Sequence, residues 1–411
     1  MVVVRAALTS EKFMFKNTIS FVKHTPAFSI GFLFASASLM IGIWVAAIPA
    51  IKERLHFSDS GLGLSLLLAP LGALTGVYLS TKILSRIEVG KWLFIGNMLF
   101  CIVVIMEVTA QTRLMLWIAL YLHGVNGFLN GVSANAVVDM LEKKYNRRFM
   151  SSCHAMYSIG GGISAGLAGL FFAFDINSAI QAVIMALIII VVIILVQNNL
   201  LNHKKIIHSS SSLQMPSLSI LGISFICLVV FMAEGCIADW SAIYLKEILS
   251  SPKEFIGLGF AGFSIAMTIG RLNGDELIPK IGSKNIVIIG CLLGALGFII
   301  VVFAPVTLIA VLGFILVGVG CSCIVPVLFS ASANIQGVSP VQGFAMVTTG
   351  GLIGFLAGPS VIGFISEAIN LSTGFAFVFL MTLVAAYAAW QNKFLQNKKQ
   401  ITDVGYNEQF L

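Results

Sequence analysis

Residues 285–366 contain no aspartate, glutamate, lysine, arginine or histidine; they begin NIVIIGCLLGALGFIIVVFA (285–304) and end FLAGPSVIGFIS (355–366). About a quarter of the residues in an ordinary soluble domain are charged, so an uncharged run of 82 residues does not fit such a domain. A helix needs roughly 20 apolar residues to cross a bilayer. The run therefore predicts three spans, with breaks near Ala304-Pro305 and at the polar residues 332–341.

The composition of the whole chain agrees with a polytopic membrane protein. Of its 411 residues, 58% are hydrophobic and 10% are charged, and the mean hydropathy is +1.00. The apolar runs are continuous rather than alternating, which favours helices over a β-barrel. We predict an all-α fold with twelve transmembrane helices, at residues 27–51, 61–81, 91–109, 114–138, 150–173, 178–196, 218–242, 255–273, 283–303, 306–331, 341–366 and 371–390.

The distribution of lysine and arginine predicts the orientation, because these residues are in excess in cytoplasmic loops. With twelve spans, 19 of the 24 fall on the side that carries both termini. We expect a multi-pass protein of the bacterial inner membrane with both termini cytoplasmic. The first apolar run is followed by the charged residues 52–54 rather than by a cleavage site, so no cleavable signal peptide is expected.

Residues 197–217 are polar and basic and include four consecutive serines, which predicts a flexible cytoplasmic linker. This linker divides the spans into two groups of six. The predicted organisation is a cytoplasmic tail (1–26), a six-helix bundle (27–196), the linker, a second six-helix bundle (218–390) and a second cytoplasmic tail (391–411).

Short echoes between the two groups indicate a repeat. WVAAI (44–48) ends the first span and WSAI (240–243) ends the seventh. The loop GDELIPKIGSK (274–284) resembles the signature of glycine, acidic and basic residues that major facilitator transporters carry between helices 2 and 3, although here it follows the eighth span. In the first half Ser85 stands where that family usually has aspartate. Two parallel six-helix repeats are the architecture of the same family.

Four motifs resemble those of the YbjJ-type bacterial inner-membrane facilitators: WVAAIPAIK (44–52), SCHAMYSIG (152–160), AEGCIADW (233–240) and GFAGFSIAMTIGR (259–271). The resemblance extends over nearly the whole chain and implies an inner-membrane transporter, distantly similar to the fucose-permease group. Relatives of this type carry arginine at the position of Ala47 and an acid at that of Asn130. The joint loss of both charges avoids leaving one of them buried and unpaired.

Ionisable groups inside a span are costly, so each is a functional candidate. Glu234 is the strongest, because it lies about 24 Å along the seventh predicted span and has small neighbours. We predict that it carries a proton; a structural hydrogen bond to a neighbouring helix is the alternative. Asp239 and Trp240 follow it and are candidates for substrate contact, with anchoring at the lipid headgroups as the alternative. Trp44 is the counterpart of Trp240 at the end of the first span and is likewise a candidate for substrate contact.

The fourth predicted span carries a polar stripe, with His123, Asn126, Gly127 and Asn130 on one face. The stripe predicts either the lining of an aqueous cavity or hydrogen bonds between helices. Tyr157, near the start of the fifth span, is a further candidate for substrate contact. Glu107 and Glu367 lie near helix ends, where we expect them to be solvated.

Charged and polar residues at the cytoplasmic helix ends are candidates for a gate. His154 begins the fifth span, where a gating role competes with loop anchoring, and Arg271 and Asp275 have the spacing of an ion pair on one helix. The remaining gating candidates are Lys280 and Arg86.

Several classes of function are excluded or disfavoured. No Walker motif is present, which argues against an ATP-driven pump. GLGFAG (257–262) matches a dinucleotide-binding pattern, but it opens an apolar helix without a preceding strand, so it is not a dinucleotide site. We predict a monomeric secondary transporter, with no enzymatic activity, cofactor or nucleic-acid partner, that takes up a neutral polar solute such as a sugar and is coupled to protons through Glu234. Efflux of drugs or metabolites by the same fold is the alternative; a channel or an intramembrane enzyme is more remote.

Overall fold

The computed structural model describes residues 21–147, 149–201, 220–332, 335, 338 and 340–395, without the side chains of residues 81, 200, 201, 275, 340 and 341. The described ranges contain twelve long helical elements and no β-strand. The first six are α1 (Thr25–Arg54), α2 (Asp59–Leu84, in the two segments Asp59–Leu66 and Leu68–Leu84), α3 (Val89–Thr109), α4 (Arg113–Tyr145), α5 (Met150–Ala173) and α6 (Ser178–Leu201). The second six are α7 (Leu221–Ile243, continued by a π-turn at Tyr244–Ile248), α8 (Leu258–Ile281), α9 (Ser283–Val302), α10 (Thr307–Ser332, interrupted between Cys321 and Ile324), α11 (Pro340–Ala368) and α12 (Leu371–Gln391).

Eleven of these elements are long and apolar enough to cross a bilayer, and α4 is the exception. Its polar stripe lowers its hydropathy, but its 33 residues extend about 50 Å. It therefore joins the two faces of the molecule like its neighbours. The prediction of an all-α fold with twelve transmembrane helices is confirmed. Most of the predicted linker (197–217) lies within residues 202–219, which are outside the described part of the chain.

The helices run between two opposite faces of the molecule. We call the face with residues 21, 201, 220 and 395 the terminal face, and the opposite one the far face. On the far face, α2, α4 and α12 begin at side-chain caps: the side chains of Ser58, Thr112 and Asn370 accept hydrogen bonds from the backbone N–H groups three residues on. Such caps satisfy N–H groups that have no partner within the helix.

Small residues let the helices of each six-helix half approach closely. Gly42 of α1 lies against the carbonyl of Gly161 and the side chain of Ser164 in α5. In the second half, Gly350 and Gly354 of α11 lie against backbone carbonyls of α7. Close approach of this kind is a main source of helix association in lipid, where the hydrophobic effect between helices is absent.

Contacts between the halves concentrate toward the far face. The segment Asp59–Leu66 of α2 packs along α11, whereas Leu68–Leu84 diverges from it. Likewise, Gly169 and Ala165 in the far part of α5 contact the backbone of Glu254 and Gly257 just before α8. The far face is therefore closed in this structure, and the halves separate toward the terminal face.

The packing of α2 on α4 predicts how alanine substitutions at two glycines of α4 affect stability. A Cβ atom on Gly124 would collide with the backbone carbonyl of Ala69, whereas one on Gly131, two turns along the same helix, would have no atom within 4 Å. We expect Gly124→Ala to lower the unfolding free energy by about 1–3 kcal/mol, because backbone atoms cannot move aside cheaply. Gly131→Ala should leave stability unchanged or raise it slightly. Thermal unfolding in detergent checks this; equal melting temperatures for the two variants would contradict it.

Candidate functional site

A cluster of polar side chains lies deep in the molecule where α5 of the first half meets α7 and α8 of the second. Arg271 of α8 donates a hydrogen bond to the Ser158 hydroxyl of α5, with the Nη1 and Oγ atoms 3.2 Å apart. The charge of Arg271 also acts on Tyr157 in α5 and on Glu234 in α7. The sequence placed these residues in three separate predicted spans, and the fold brings them together across the interface between the halves.

Glu234 is the acidic member of this cluster. Its side chain is half-buried, and its Oε1 atom is buried without a hydrogen-bond partner among the described residues. A buried polar atom with no partner costs about 1–3 kcal/mol. Beside it, Phe231 of α7 and Phe355 of α11 make an edge-to-face contact with centroids 5.0 Å apart. The carboxylate therefore has an unused acceptor that a ligand can satisfy.

α1 completes the cluster from the first half. Ser38 interacts with the Tyr157 hydroxyl, and Phe34 makes an edge contact with the His154 ring at 5.1 Å. Arg271 also acts electrostatically on His154. We call Ser38, His154, Tyr157, Ser158, Glu234 and Arg271 the central cluster. It contains one fixed cation, one acid, one imidazole and three hydroxyl groups, which is a set suited to hydrogen bonding a polar solute.

The polar stripe of α4 is directed partly into helix packing. The Asn130 amide donates to the Asn126 side-chain oxygen at 2.7 Å, and both residues are buried. The Asn130 oxygen also lies against Gly96 of α3. The hydrogen bond therefore lies within α4, and the Asn130 oxygen has no hydrogen-bond partner among the described residues.

Glu107 is not solvated, and that expectation was wrong. Its side chain is 0% exposed, and its Oε1 atom lies 2.9 Å from Nδ1 of His123 in α4. The long side chains of the two residues meet between α3 and α4, so closeness to the end of α3 did not expose the carboxylate. Asp239 of α7, in the other half, is half-buried. Glu367, in contrast, is exposed, and accepts a hydrogen bond from the Ser60 N–H at 2.9 Å.

The two tryptophans are enclosed by protein. Trp240 is 0% exposed and Trp44 is 5% exposed, and the indole nitrogen of Trp240 has no hydrogen-bond partner among the described residues. Anchoring at the lipid headgroups is therefore wrong for Trp240. The sequence could not exclude it, because a tryptophan near a helix end faces either lipid or the protein interior depending on the packing.

The predicted gate at the terminal face is not assembled in this conformation. Lys280 pairs with Glu276 one turn away on its own helix, and Arg86 is exposed between α2 and α3. The side chain of Asp275 lies outside the described part of the structure, and Arg271 contacts Ser158 of the other half. Among the described residues, neither Lys280 nor Arg86 makes a contact that closes this face, which agrees with the separation of the halves there.

Ion pairs instead connect the halves at the far face. Lys52, at the end of α1, lies 2.6 Å from the Glu247 carboxylate, and Lys246, after α7, lies 2.6 Å from that of Glu53. Both halves therefore contribute a Lys-Glu dipeptide from the same place in the repeat, and each lysine contacts the glutamate of the other half. We call these contacts the reciprocal ion pairs.

Two further contacts extend the closure of the far face. Lys52 also lies 2.5 Å from Asp59 at the start of α2. Lys253 pairs with Asp175 in the α5–α6 connection, and this hydrogen bond and charge hold the pKa of Asp175 below its ordinary value. A cavity of about 440 Å³ lies beside this pair, and Ala47 and Arg54 are among its lining residues.

The sequence carries a signal for the reciprocal ion pairs, although none was predicted above. Lys52 and Lys246 are two of the five lysine and arginine residues outside the side that carries both termini. Both are followed by glutamate, and both lie shortly after the tryptophans that end the equivalent first and seventh spans. A repeat-by-repeat comparison of the rare far-side charges would have found them.

Comparisons with known proteins agree with this architecture. The family model of the Major Facilitator Superfamily matches residues 28–214 and 223–402. An uncharacterized MFS-type transporter of Yersinia pestis is 32% identical over 359 residues, which cover 87% of this chain and 93% of that protein.

Two solved structures share the fold. A mutant of the nucleoside transporter NupG superposes with a TM-score of 0.70 at 14% identity, over 89% of this chain and 99% of that one. A variant of the E. coli fucose:proton symporter FucP superposes with a TM-score of 0.59 at 15% identity, over 89% and 98%. Because both identities are low, these likenesses concern the fold alone.

The reciprocal ion pairs predict how the far face opens. We expect Lys246→Glu to raise the far-face-open population, because it places two acids against each other. Lys246→Glu combined with Glu53→Lys should restore the closed population, since the pair is rebuilt in reverse. Nitroxide labels are attached at Gln111→Cys and Ser250→Cys, both exposed on the far face. Electron spin resonance then measures the change as the distance between the two labels. The native cysteines are buried and should not be labelled.

The double exchange is the matched control for this experiment. A single variant that opens the far face by general destabilisation would not be rescued by the second substitution. An unchanged distance distribution in Lys246→Glu, or a failure of the double variant to close, would show that the pair does not hold the two halves together.

Proposed function

This chain belongs to the Major Facilitator Superfamily and is a multi-pass secondary transporter; we propose that it takes up a neutral polar solute such as a sugar, in symport with protons, at the central cluster. We further propose that it does so in a bacterial inner membrane, with both termini cytoplasmic. The terminal face is then the cytoplasmic face, and the structure corresponds to a state open to the cytoplasm.

The observation that carries this proposal is the position of Glu234. It contributes a carboxylate with an unpartnered oxygen to a cluster built from both halves. A solute bound there would contact α5 on one side and α7 and α8 on the other. Rocking of the halves would then carry the site from one face to the other without moving the solute far, which is alternating access about a fixed site.

The balance of charge in the central cluster favours a neutral solute. Arg271 supplies one positive charge, and an ionised Glu234 supplies one negative charge that acts on it. A net charge on the solute would leave one uncompensated charge in a poorly solvated site. The hydroxyl groups of Tyr157 and Ser158 add hydrogen-bonding partners suited to a polyol or a sugar. The fold shared with NupG and FucP, which by name handle nucleosides and fucose, supports the same class.

A proton on Glu234 would change this balance. Protonation removes the negative charge that faces Arg271 and converts an acceptor oxygen into a donor. The protonated carboxyl can then donate a hydrogen bond to the solute, while Arg271 keeps its hydrogen bond to Ser158. Binding of solute and proton would thus be linked through one side chain, which is the requirement for symport.

Binding of a polar solute should raise the thermal stability of the purified protein. We expect one class among sugars, sugar acids, amino acids and nucleosides to raise the melting temperature in proportion to its concentration, since a ligand at 100 times its Kd stabilises by about 2.7 kcal/mol. A shift produced only by lipophilic cations would overturn the proposal in favour of efflux.

Replacement of Glu234 should separate coupling from exchange. The assay uses proteoliposomes and a labelled solute from the class that raises the melting temperature. Glu234→Gln should abolish accumulation of this solute driven by a pH gradient but retain its exchange across the membrane. Glu88→Gln is the matched control, because Glu88 is a surface carboxylate paired with Lys91 near the terminal face. Retained uphill accumulation in Glu234→Gln would exclude this role.

A further inference from the structure

The cavity of about 440 Å³ at the far face belongs neither to the central cluster nor to the reciprocal ion pairs. It is lined by the far ends of α1, α3 and α5, by the start of α6, and by Lys253 shortly before α8. Phe172 in its wall lies about 20 Å along α5 from Ser158 of the central cluster. Its volume is within the range of pockets that bind small organic molecules, roughly 300–1,000 Å³. We call it the far-face cavity.

The far-face cavity is apolar at its floor and polar at its mouth. Ala47, Ile51 and Val108 are each at most 2% exposed, and they form the floor. Arg54, two turns beyond Ala47 on α1, and Gln111, shortly after α3, are exposed at the mouth. The mouth therefore opens to water, whereas the floor offers apolar surface to a ligand.

Arg54 supplies a positive charge in a fixed position. Its Nη2 atom donates to the backbone carbonyl of Val108 at 2.9 Å, which holds the guanidinium against the end of α3. Arg54 makes no ion pair with a carboxylate in the part of the chain that the structure describes. Because a guanidinium carries five N–H donors, several of them are available to a ligand with a negative charge.

The other two charges of the lining compensate each other. Lys253 of the second half pairs with Asp175 in the α5–α6 connection. Glu53 and Glu254 are next to lining residues in the chain, but they do not line the cavity themselves. Two cations and one carboxylate leave the lining with a net charge of +1, and the unpaired charge is that of Arg54. The far-face cavity therefore favours an anion.

The shape and the charge of the far-face cavity together indicate one class of ligand. A single negative charge on the ligand would meet Arg54 at the mouth, where its N–H donors match the geometry of a carboxylate. An apolar part would cover the floor and remove its surface from water. An inorganic anion would leave the floor without a contact, and a neutral apolar molecule would not use the charge of Arg54.

We propose that the far-face cavity is a binding site for a small organic carboxylate that carries one negative charge and an apolar ring or short chain. The carboxylate contacts Arg54, and the apolar part lies between α1 and α3 on Ala47, Ile51 and Val108. The ligand enters from solution, because the mouth opens to water. This inference depends neither on the identity of the transported solute nor on a role for Glu234.

Isothermal titration calorimetry of the purified full-length protein in detergent tests this proposal. We expect saturable binding of benzoate and of cyclohexanecarboxylate, which both join a carboxylate to a ring. Benzamide keeps the ring but has no charge, and acetate keeps the charge but has no ring. Each of these two should bind about tenfold more weakly or worse, because each lacks one of the two contacts.

Two substitutions locate the bound benzoate. Arg54→Gln should weaken binding by about tenfold or more, because it removes the charge and keeps a polar side chain. Ala50→Phe should also weaken it, since Ala50 lines the cavity and a ring there occupies part of the space without a change of charge. This second variant decides the matter if Arg54→Gln does not fold. Arg113→Gln is the matched control, because Arg113 also donates to a far-face carbonyl, that of Leu55, but does not line the cavity.

Weaker binding in Arg54→Gln and Ala50→Phe, with unchanged binding in Arg113→Gln, would establish the site. The proposal would be overturned if neither ring carboxylate bound saturably to the wild-type protein, or if binding survived either cavity substitution in a folded protein. Surviving binding would place the anion elsewhere, for example at Arg271 of the central cluster. The uptake proposal is tested by accumulation in proteoliposomes, so either proposal can fail while the other stands.

Discussion

The absence of water in the hydrocarbon of a bilayer is the constraint on which this structure depends. Backbone groups must bond within their own segment, which makes every span a helix. A charged side chain must find a partner of opposite charge or a water-filled space. The buried Glu107 carboxylate obeys that rule, because it meets His123.

The same constraint concentrates function at the interface between the halves. Within each half, glycine contacts such as Gly42 on α5 bring helices together without polar side chains. Between the halves, glycine contacts such as Gly169 on Glu254 are joined by ion pairs at the far face and by the hydrogen bond from Arg271 to Ser158 deeper in the molecule. Partly exposed ion pairs contribute only about 0–1 kcal/mol each. The polar contacts between the halves are therefore weak enough to break and form again.

The repeat explains the form of the far-face closure. Equivalent positions in two parallel repeats are related by rotation about the membrane normal, so a Lys-Glu dipeptide at the end of α1 has a counterpart after α7. Rotation places the lysine of each beside the glutamate of the other, as in Lys52 with Glu247 and Lys246 with Glu53. The first-half dipeptide is further tied to Asp59, so the two pairs are related but not equal.

The sequence alone determined the number of spans, their order and the breaks near residues 304 and 332–341, because hydropathy over about 20 residues is a local property. It also identified Glu234 as an ionisable group within a span. It could not assign partners: Lys52 and Glu247 are 195 residues apart, and their contact depends on how the two halves pack. The burial of Glu107 and Trp240 likewise follows from neighbouring helices. Only the tertiary structure could therefore decide which of the few charges meet, and on which face.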